Sequence, residues 1–448
     1  MALLIPRNYF TDEMAKNLKK TLTFYPKTTQ FHKPNHYTPK KENDGVVAYK
    51  YEPESAYVRI PFTWGAKMYN FNNDLLKHRP INIKMIGEPR DEVQMDQLNK
   101  AIDDLNTHRT AIFNLRTGFG KTALSLFLSC KVGLLTCVLL PAPSDLVEQW
   151  MTSGKDLTTA KMAEVDVNIK KLIPDDTEII CCYMERACKI PKEIRDLVGL
   201  LIIDEAHLFC NTTGINAILE FSPKFVVACT ATFTRSADEM HRVMETVVGN
   251  KMITAKFDVK FRVTKVNTGI EGTREPNPNK PGVNWHKLNK SLLYNPIRNE
   301  MIVDLLLQLQ PSGKILVLTT EVEHAKLICA LAKKHNVKVD YYAGEKKSYE
   351  DSDILVGNVQ KCGTGFDEKS KCKTWNGIRI RYVVICGSMR NVERIEQAIG
   401  RGFRAEDPHI YHLVDKDPTI RSQWTSAKKL YDKLEAEIDV VKIKPADK

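Results

Sequence analysis

The hexapeptide TGFGKT, Thr117 to Thr122, follows the apolar run AIFNL and opens the helix-like stretch TALSLFLSC. A strand that feeds a glycine loop that opens a helix constrains the fold severely. It calls for a parallel α/β unit with a phosphate cradle at the carboxyl edge of its sheet. Gly118 and Gly120 let main-chain N–H groups close on phosphates, with Thr117 and Phe119 completing the loop. Lys121 is placed to reach the β and γ oxygens, and Thr122 to hold Mg²⁺. The loop departs from the full pattern, because Leu115 stands where its first glycine belongs.

A second element, DEAH at Asp204 to His207, ends the apolar run GLLII, 83 residues after Lys121. Asp204 offers a metal-positioning carboxylate and Glu205 a candidate base. Ligands of open parallel sheets gather at the carboxyl ends of strands, so both motifs project onto one edge. TAT, Thr230 to Thr232, follows a third such run, FVVAC, and could bridge the hydrolysis site to a partner domain. QAIGRGFR, Gln397 to Arg404, lies far downstream. Arg401 and Arg404 are three apart and would share a helix face, where two guanidinium forks could pair with phosphate oxygens. Taken singly, each motif also has a bland reading: a capped turn, a strand tripeptide, a solvated basic helix.

Apolar strands alternating with helices give the fold class: α/β, two successive parallel-sheet domains with a small N-terminal accessory domain. The boundaries expected are 1–85 for the accessory domain, 86–255 for the first α/β domain, 256–295 for a linker, 296–418 for the second domain and 419–448 for a helical tail. In residues 1–85 AYVRIPFTW reads as a strand, and the Pro- and Asn-rich EGTREPNPNKPGVNW marks the linker. The tyrosines, phenylalanines and lysines of 1–85 fit either a nucleic-acid stacking surface or, the favoured alternative, a small fold that buries its aromatics against the first domain.

Composition narrows the partner. The 448 residues carry a formal net charge of +11, and residues 1–50 hold nine Lys/Arg against four Asp/Glu. That surplus fits a polyanion. Eleven cysteines show no C-x-x-C spacing and several sit inside apolar runs, which points away from a zinc site or disulfide framework and toward a reducing compartment. No apolar run reaches the length of a membrane span.

The ordered set TGFGKT, PAPSDLVEQW, DEAH, TAT and QAIGRGFR resembles the superfamily 2 helicases and translocases, of the RecG-like and XPB-like DExH group. EQW, SLLYNPIRN (291–299), GTGFD (363–367) and I-x-Q-x-x-G-R resemble more narrowly the poxvirus-type transcript-release DNA helicase of large DNA viruses. The resemblance spans about residues 86–415 and implies that the two α/β domains are tandem RecA-like domains. It implies an adenine-reading role for Gln94, phosphate and Mg²⁺ contacts for Lys121 and Thr122, a metal-associated acid in Asp204 and water activation by Glu205. It further implies coupling roles for His207, Thr230 and Thr232, and water-positioning and finger roles for Gln397, Arg401 and Arg404. Gly365 and Asp367 would face the nucleotide. Thr319, Thr320 and Thr364 would contact the nucleic-acid backbone. Phe233 departs from the proline common after TAT. ATP and Mg²⁺ are the implied cofactors, and DNA is the implied partner, with RNA as the alternative. The implied activity is 3′–5′ DNA helicase or translocase action in viral transcription, by a monomer working with transcription machinery in the cytoplasm or virion, the nucleus remaining open. A non-catalytic nucleic-acid-binding subunit is the rival from another class.

Overall fold

The computed structural model describes residues 2–27, 45–51, 56–70, 76–141, 146–165, 173–234, 238–255, 259–278, 282–363, 366, 368–387 and 389–443. The chain divides into two compact units, Met1–Ala255 and Lys256–Lys448.

The first unit is built on a six-stranded sheet with every pairing parallel. Its spatial order is Thr110–Asn114, Phe225–Thr230, Leu200–Asp204, Thr136–Leu140, Ile179–Tyr183 and Met162–Glu164. The four strands between the two outermost are almost entirely buried, as sheets covered on both faces require, and this is why they read as unbroken apolar runs. Two apolar clusters cover the faces. One includes Leu124, Phe127, Trp150 and Leu98, and the other Ile215, Phe221, Val243 and Val247.

Residues 2–70 contribute a three-stranded antiparallel sheet, ordered Ala2–Pro6, Tyr57–Pro61, Lys50–Tyr51. Leu3, Ile5, Ile60 and Phe62 belong to the same apolar cluster as Ile215 and Phe221, so the accessory segment is packed onto the first sheet's helices. Glu220 anchors it, pairing with Lys50 at 2.6 Å and with Arg195. Arg59 donates to the carbonyls of Leu219 and Glu220. Phe10, Trp64 and Tyr69 stack edge to face, while Tyr9, Tyr51 and Tyr57 remain exposed. Only the first half of AYVRIPFTW is strand. Phe62 begins the helix Phe62–Tyr69, directly after Pro61, whose fixed φ suits the position before a helix.

The second unit holds a seven-stranded, wholly parallel sheet. Its order is Val339–Tyr342, Ile354–Asn358, Lys314–Thr319, Ile380–Ile385, His409–Val414, Arg262–Asn267 and Glu437–Lys442. Two expected boundaries differ here. The span 256–295, read as a linker, supplies the interior strand Arg262–Asn267 and the helix Trp285–Leu293. The span 419–448, read as a helical tail, continues past the helix Pro418–Lys433 into an edge strand, Glu437–Lys442, paired along Arg262–Asn267. Among the described residues no helix is long and apolar enough to cross a membrane.

Candidate active site

Strand order explains why three distant motifs meet. Thr110–Asn114, Phe225–Thr230 and Leu200–Asp204 are consecutive neighbours, so the glycine loop, TAT and DEAH leave the same edge side by side. Asn114 lies opposite Thr230, and the Leu115 N–H donates to the Thr230 carbonyl at 3.1 Å.

The loop's tight path rests on two left-handed glycines, Gly118 (φ +80°) and Gly120 (φ +101°), around the buried Phe119. Gly120 precedes the helix Lys121–Val132, whose first-turn N–H groups have no acceptor within the helix and suit an anion. A Cβ at Gly120 would overlap the amide nitrogen of Gln94. Gln94 is buried on the helix Glu92–His108. Its Nε2 donates to the Phe119 carbonyl at 2.9 Å and its Oε1 accepts the Arg90 N–H at 2.8 Å. Gln94 therefore braces the loop from outside. Lys121 lies half-buried, with Nζ on the carbonyls of Leu115 (2.8 Å) and Arg116 (3.3 Å), folded back into its own loop. Thr117 and Thr122 are half-buried on the same loop and helix start.

Asp204 is buried and its two oxygens are committed separately. Oδ2 accepts the Trp150 indole N–H at 2.9 Å, and Oδ1 accepts the Glu205 N–H at 3.0 Å. Burial pushes its carboxyl up to about 6; the neighbouring Glu205 charge adds to this, while the Trp150 bond and the Lys121 charge oppose it. Trp150, on the helix Leu146–Leu157, lies in the quoted EQW but was given no role by sequence. Its signal was a Trp with a polar handle on an otherwise apolar helix face.

Glu205 has φ +49° and ψ +49°, a left-handed conformation that costs a non-glycine residue about 1–2 kcal/mol. The turn swings its carboxylate toward His207, whose Nδ1 is 3.5 Å from Glu205 Oε2. That oxygen is buried and has no hydrogen-bond partner among the described residues. His207 Nδ1 also lies 3.0 Å from Thr230 Oγ1, and the Thr230 hydroxyl is bonded to both the carbonyl and the N–H of Thr232. A continuous polar line thus runs from Glu205 through His207 to Thr230 and Thr232.

The arrangement fits a magnesium nucleotide: a glycine cradle at a helix start, an ammonium, a hydroxyl and a carboxylate beside it, and an unpartnered carboxylate oxygen. Among the described residues no cluster of three or more His, Cys, Asp or Glu could hold a metal without help, so substrate and water oxygens would complete the shell.

The second unit carries the remaining candidates. Gln397 is half-buried on the helix Val392–Ile399. That helix stops at Ile399, so the arginines do not share a helix face as expected. Arg401 precedes, and Arg404 ends, the short 3₁₀ turn Gly402–Arg404. Gly400 and Gly402 in IGRGF disfavour continuing the helix. Arg401 is buried and donates to the carbonyls of Cys362 (3.0 Å) and Phe366 (2.7 Å), whereas Arg404 is half-buried. Thr319 is fully buried and its hydroxyl donates to the Glu321 carbonyl at 2.9 Å, so it closes a turn. The Thr320 hydroxyl is buried with no hydrogen-bond partner among the described residues. Thr364, Gly365 and Asp367 lie outside the described residues.

Residues 79–235 match the family described as type III restriction enzyme, res subunit. "Putative helicase 161L" of Invertebrate iridescent virus 6 is 26% identical over 427 residues, covering 87% of this chain and 90% of the relative. "Putative ATP-dependent RNA helicase L396" of Acanthamoeba polyphaga mimivirus is 24% identical over 466 residues, covering 96% and 84%. Among solved structures, S. cerevisiae Dbp5 bound to RNA and ADP BeF3 aligns with a TM-score of 0.53 at 13% identity, covering 77% of this chain and 89% of Dbp5. The fold is two RecA-like domains, and the matched family, the viral relatives named putative helicases and the solved neighbours support a superfamily 2 helicase of viral type, an ATP-hydrolysing enzyme that acts on nucleic acid.

Proposed function

We propose that this helicase moves 3′ to 5′ on DNA and serves viral transcription, by transcript release or template remodelling. The observation that carries the motor reading is the shared edge, where phosphate loop, Asp204–Glu205 and the His207–Thr230–Thr232 line stand on adjacent strands. Lys121 leaves its own loop carbonyls for the β and γ oxygens of ATP. Thr122 and Asp204 would hold Mg²⁺, which when bound offsets phosphate charge. Glu205 orients the attacking water and takes its proton. Movement of that carboxylate is felt at His207 and Thr230, which would couple the nucleotide state to grip. Gln397 and Arg404 from the second unit are assigned to water positioning and to the charge that builds on the transferred phosphoryl, an effect worth ~10³–10⁵ in rate. Arg401 keeps a place in the assignment through the segment it holds. Thr320 and Thr364 are assigned to backbone phosphates, which makes the grip salt-sensitive and sequence-independent. Gln94, Gly365 and Asp367 are assigned to the nucleotide.

DNA is preferred on the resemblance and on the match to a restriction-enzyme subunit. The mimivirus relative's name, an RNA helicase, favours the second reading. A monomer in a reducing compartment fits the free cysteines, all buried except Cys130 and Cys188. ATPase rates measured in parallel with single-stranded DNA, duplex DNA and RNA decide between them. Stimulation by DNA, followed by unwinding of 3′-tailed but not 5′-tailed duplexes, is expected. Stimulation by RNA alone replaces the DNA reading.

A further inference from the structure

Arg298 sits on the first turn of the helix Pro296–Leu309, within the SLLYNPIRN stretch that no step above uses. It is 1% exposed. Its Nε donates to Asp415 Oδ1 at 2.8 Å and its Nη2 to the Cys386 carbonyl at 2.6 Å. The same Asp415 oxygen accepts the Thr268 hydroxyl at 2.6 Å. Cys386, Asp415 and Thr268 each follow a strand: Ile380–Ile385, His409–Val414 and Arg262–Asn267, three consecutive neighbours in the sheet. One guanidinium and one carboxylate therefore tie three strand ends together at the carboxyl edge.

Stability alone is a poor reason for such a pair. Buried ion pairs are often matched or bettered by apolar residues, and Arg298 Nη1 has no hydrogen-bond partner among the described residues. Position is the better reason. The Cys386 N–H is bonded to the Leu318 carbonyl at 2.9 Å. Next to it, Gly387 abuts Thr320 so closely that a Cβ would stand 2.6 Å from Thr320 Cγ2 and 3.0 Å from its nitrogen. From here the chain runs on to the helix bearing Gln397 and to Arg404. The carbonyl gripped by Arg298 thus lies at the junction of two loops, one carrying the unpartnered Thr320 hydroxyl, the other leading to Gln397.

We propose that Arg298 is a positioning residue for nucleic-acid-stimulated ATP hydrolysis, fixing through Cys386 and Asp415 the spacing between Thr320 and the Gln397–Arg404 segment. The inference rests on the roles assigned above to Thr320, Gln397 and Arg404. Arg298 is buried and acts through the Cys386 carbonyl and the Asp415 carboxylate. Lysine can keep the charge against Asp415 but cannot hold both partners with a rigid fork. Methionine fills the volume and keeps neither.

The test uses the full chain with Arg298→Met, Arg298→Lys, Thr268→Val and Arg404→Ala. ATPase is titrated with ATP and with whichever of single-stranded DNA or RNA stimulates it, beside thermal unfolding of each protein. Arg298→Met is expected to lower stimulated kcat about tenfold or more, with KM for ATP within about twofold and a higher nucleic-acid concentration at half-stimulation. Arg298→Lys recovers part of the rate. Thr268→Val, which leaves the Arg298–Asp415 bond intact, loses less while unfolding near the wild-type temperature. Wild-type stimulated kcat in Arg298→Met overturns the proposal, as does a loss in all three variants that merely follows their unfolding temperatures. Arg404→Ala separates the two readings. If it hydrolyses ATP normally, the finger assignment is wrong. If it is inactive while Arg298→Met is normal, only the positioning role is wrong.

Discussion

Asp204, proposed above to hold Mg²⁺, illustrates how a single buried carboxylate can be oriented by its neighbours. Both of its oxygens are occupied by neutral donors, Trp150 on one side and the Glu205 amide on the other, which fix its plane without cancelling its charge. Trp150→Phe removes one of those donors and keeps the ring. Groups that orient a metal-binding carboxylate are typically worth 10–100-fold in metal affinity. The Mg²⁺ concentration giving half-maximal ATPase is therefore expected to rise about tenfold or more, with little change in metal-free nucleotide binding. An unaltered Mg²⁺ titration would remove Trp150 from the site. Glu205 is tested differently, because its left-handed backbone is a cost retained by any non-glycine substitute. Glu205→Gln should bind ATP and nucleic acid while hydrolysis becomes negligible; normal turnover would disqualify Glu205 as the base. Both carboxylates could be singled out in sequence because DEAH places them in four adjacent residues at a strand end. Trp150 could not, since its contact with Asp204 crosses 54 positions that only the sheet brings together.

At the scale of elements, Arg401 and Arg404 part company. Arg401 is buried and holds the carbonyls of Cys362 and Phe366, which flank the helix end at Gly363 and the start of the GTGFD run. Hydrogen bonds from a charged donor are worth ~1.5–3 kcal/mol each, and their loss strands two buried carbonyls. Arg401→Ala should thus destabilise the second unit by about 3 kcal/mol or more. Arg404→Ala should leave stability within about 1 kcal/mol and remove hydrolysis. Chemical denaturation of both proteins checks the contrast, and equal midpoints for Arg401→Ala and wild type would sink it. Sequence spacing alone treated the two arginines alike, because it assumed a helix that Gly400 and Gly402 cut short. The strands Arg262–Asn267 and Glu437–Lys442 escaped for a related reason. Each carries charged residues within a six-residue run, RVTKVN and EIDVVK, and each owes its strand state to the partner it pairs with. The inner strands Thr136–Leu140, Leu200–Asp204, Lys314–Thr319, Ile354–Asn358 and Ile380–Ile385 needed no partner to be recognised, because burial on two faces writes itself as runs rich in Val, Leu and Ile.

At the scale of the whole molecule, the buried histidines His412 and His324 of the second unit and the buried Asp204 of the first respond oppositely to acid. In the second unit, burial depresses His412 to about 4, and burial together with the nearby Arg298 charge depresses His324 to about 3. The folded unit keeps these imidazoles neutral at pH values where the unfolded chain protonates them. Their contribution is complete above the unfolded value near 6.5 and is lost as pH falls from there toward 4. At about 1.4 kcal/mol per pH unit, each fully buried imidazole costs the second unit roughly 2 kcal/mol between pH 6.5 and 5. Asp204 works the other way in the first unit. Its folded value of about 6 lies above the ordinary 3.8, so its contribution is present below 3.8 and is lost as pH rises through 6. Mild acid should therefore loosen the second unit selectively. Hydrogen exchange read by mass spectrometry at pH 7.5 and 5.0, with intrinsic rates corrected for pH, reports each unit separately. Peptides from Ile380–Ile385 and His409–Val414 should lose protection at pH 5.0, while those from Leu200–Asp204 and Phe225–Thr230 should hold theirs. His412→Phe, which keeps the ring's bulk and cannot protonate, should shrink the loss. Equal protection of the second unit at both pH values, or an undiminished loss in that variant, would refute the assignment of its acid sensitivity to buried neutral histidine.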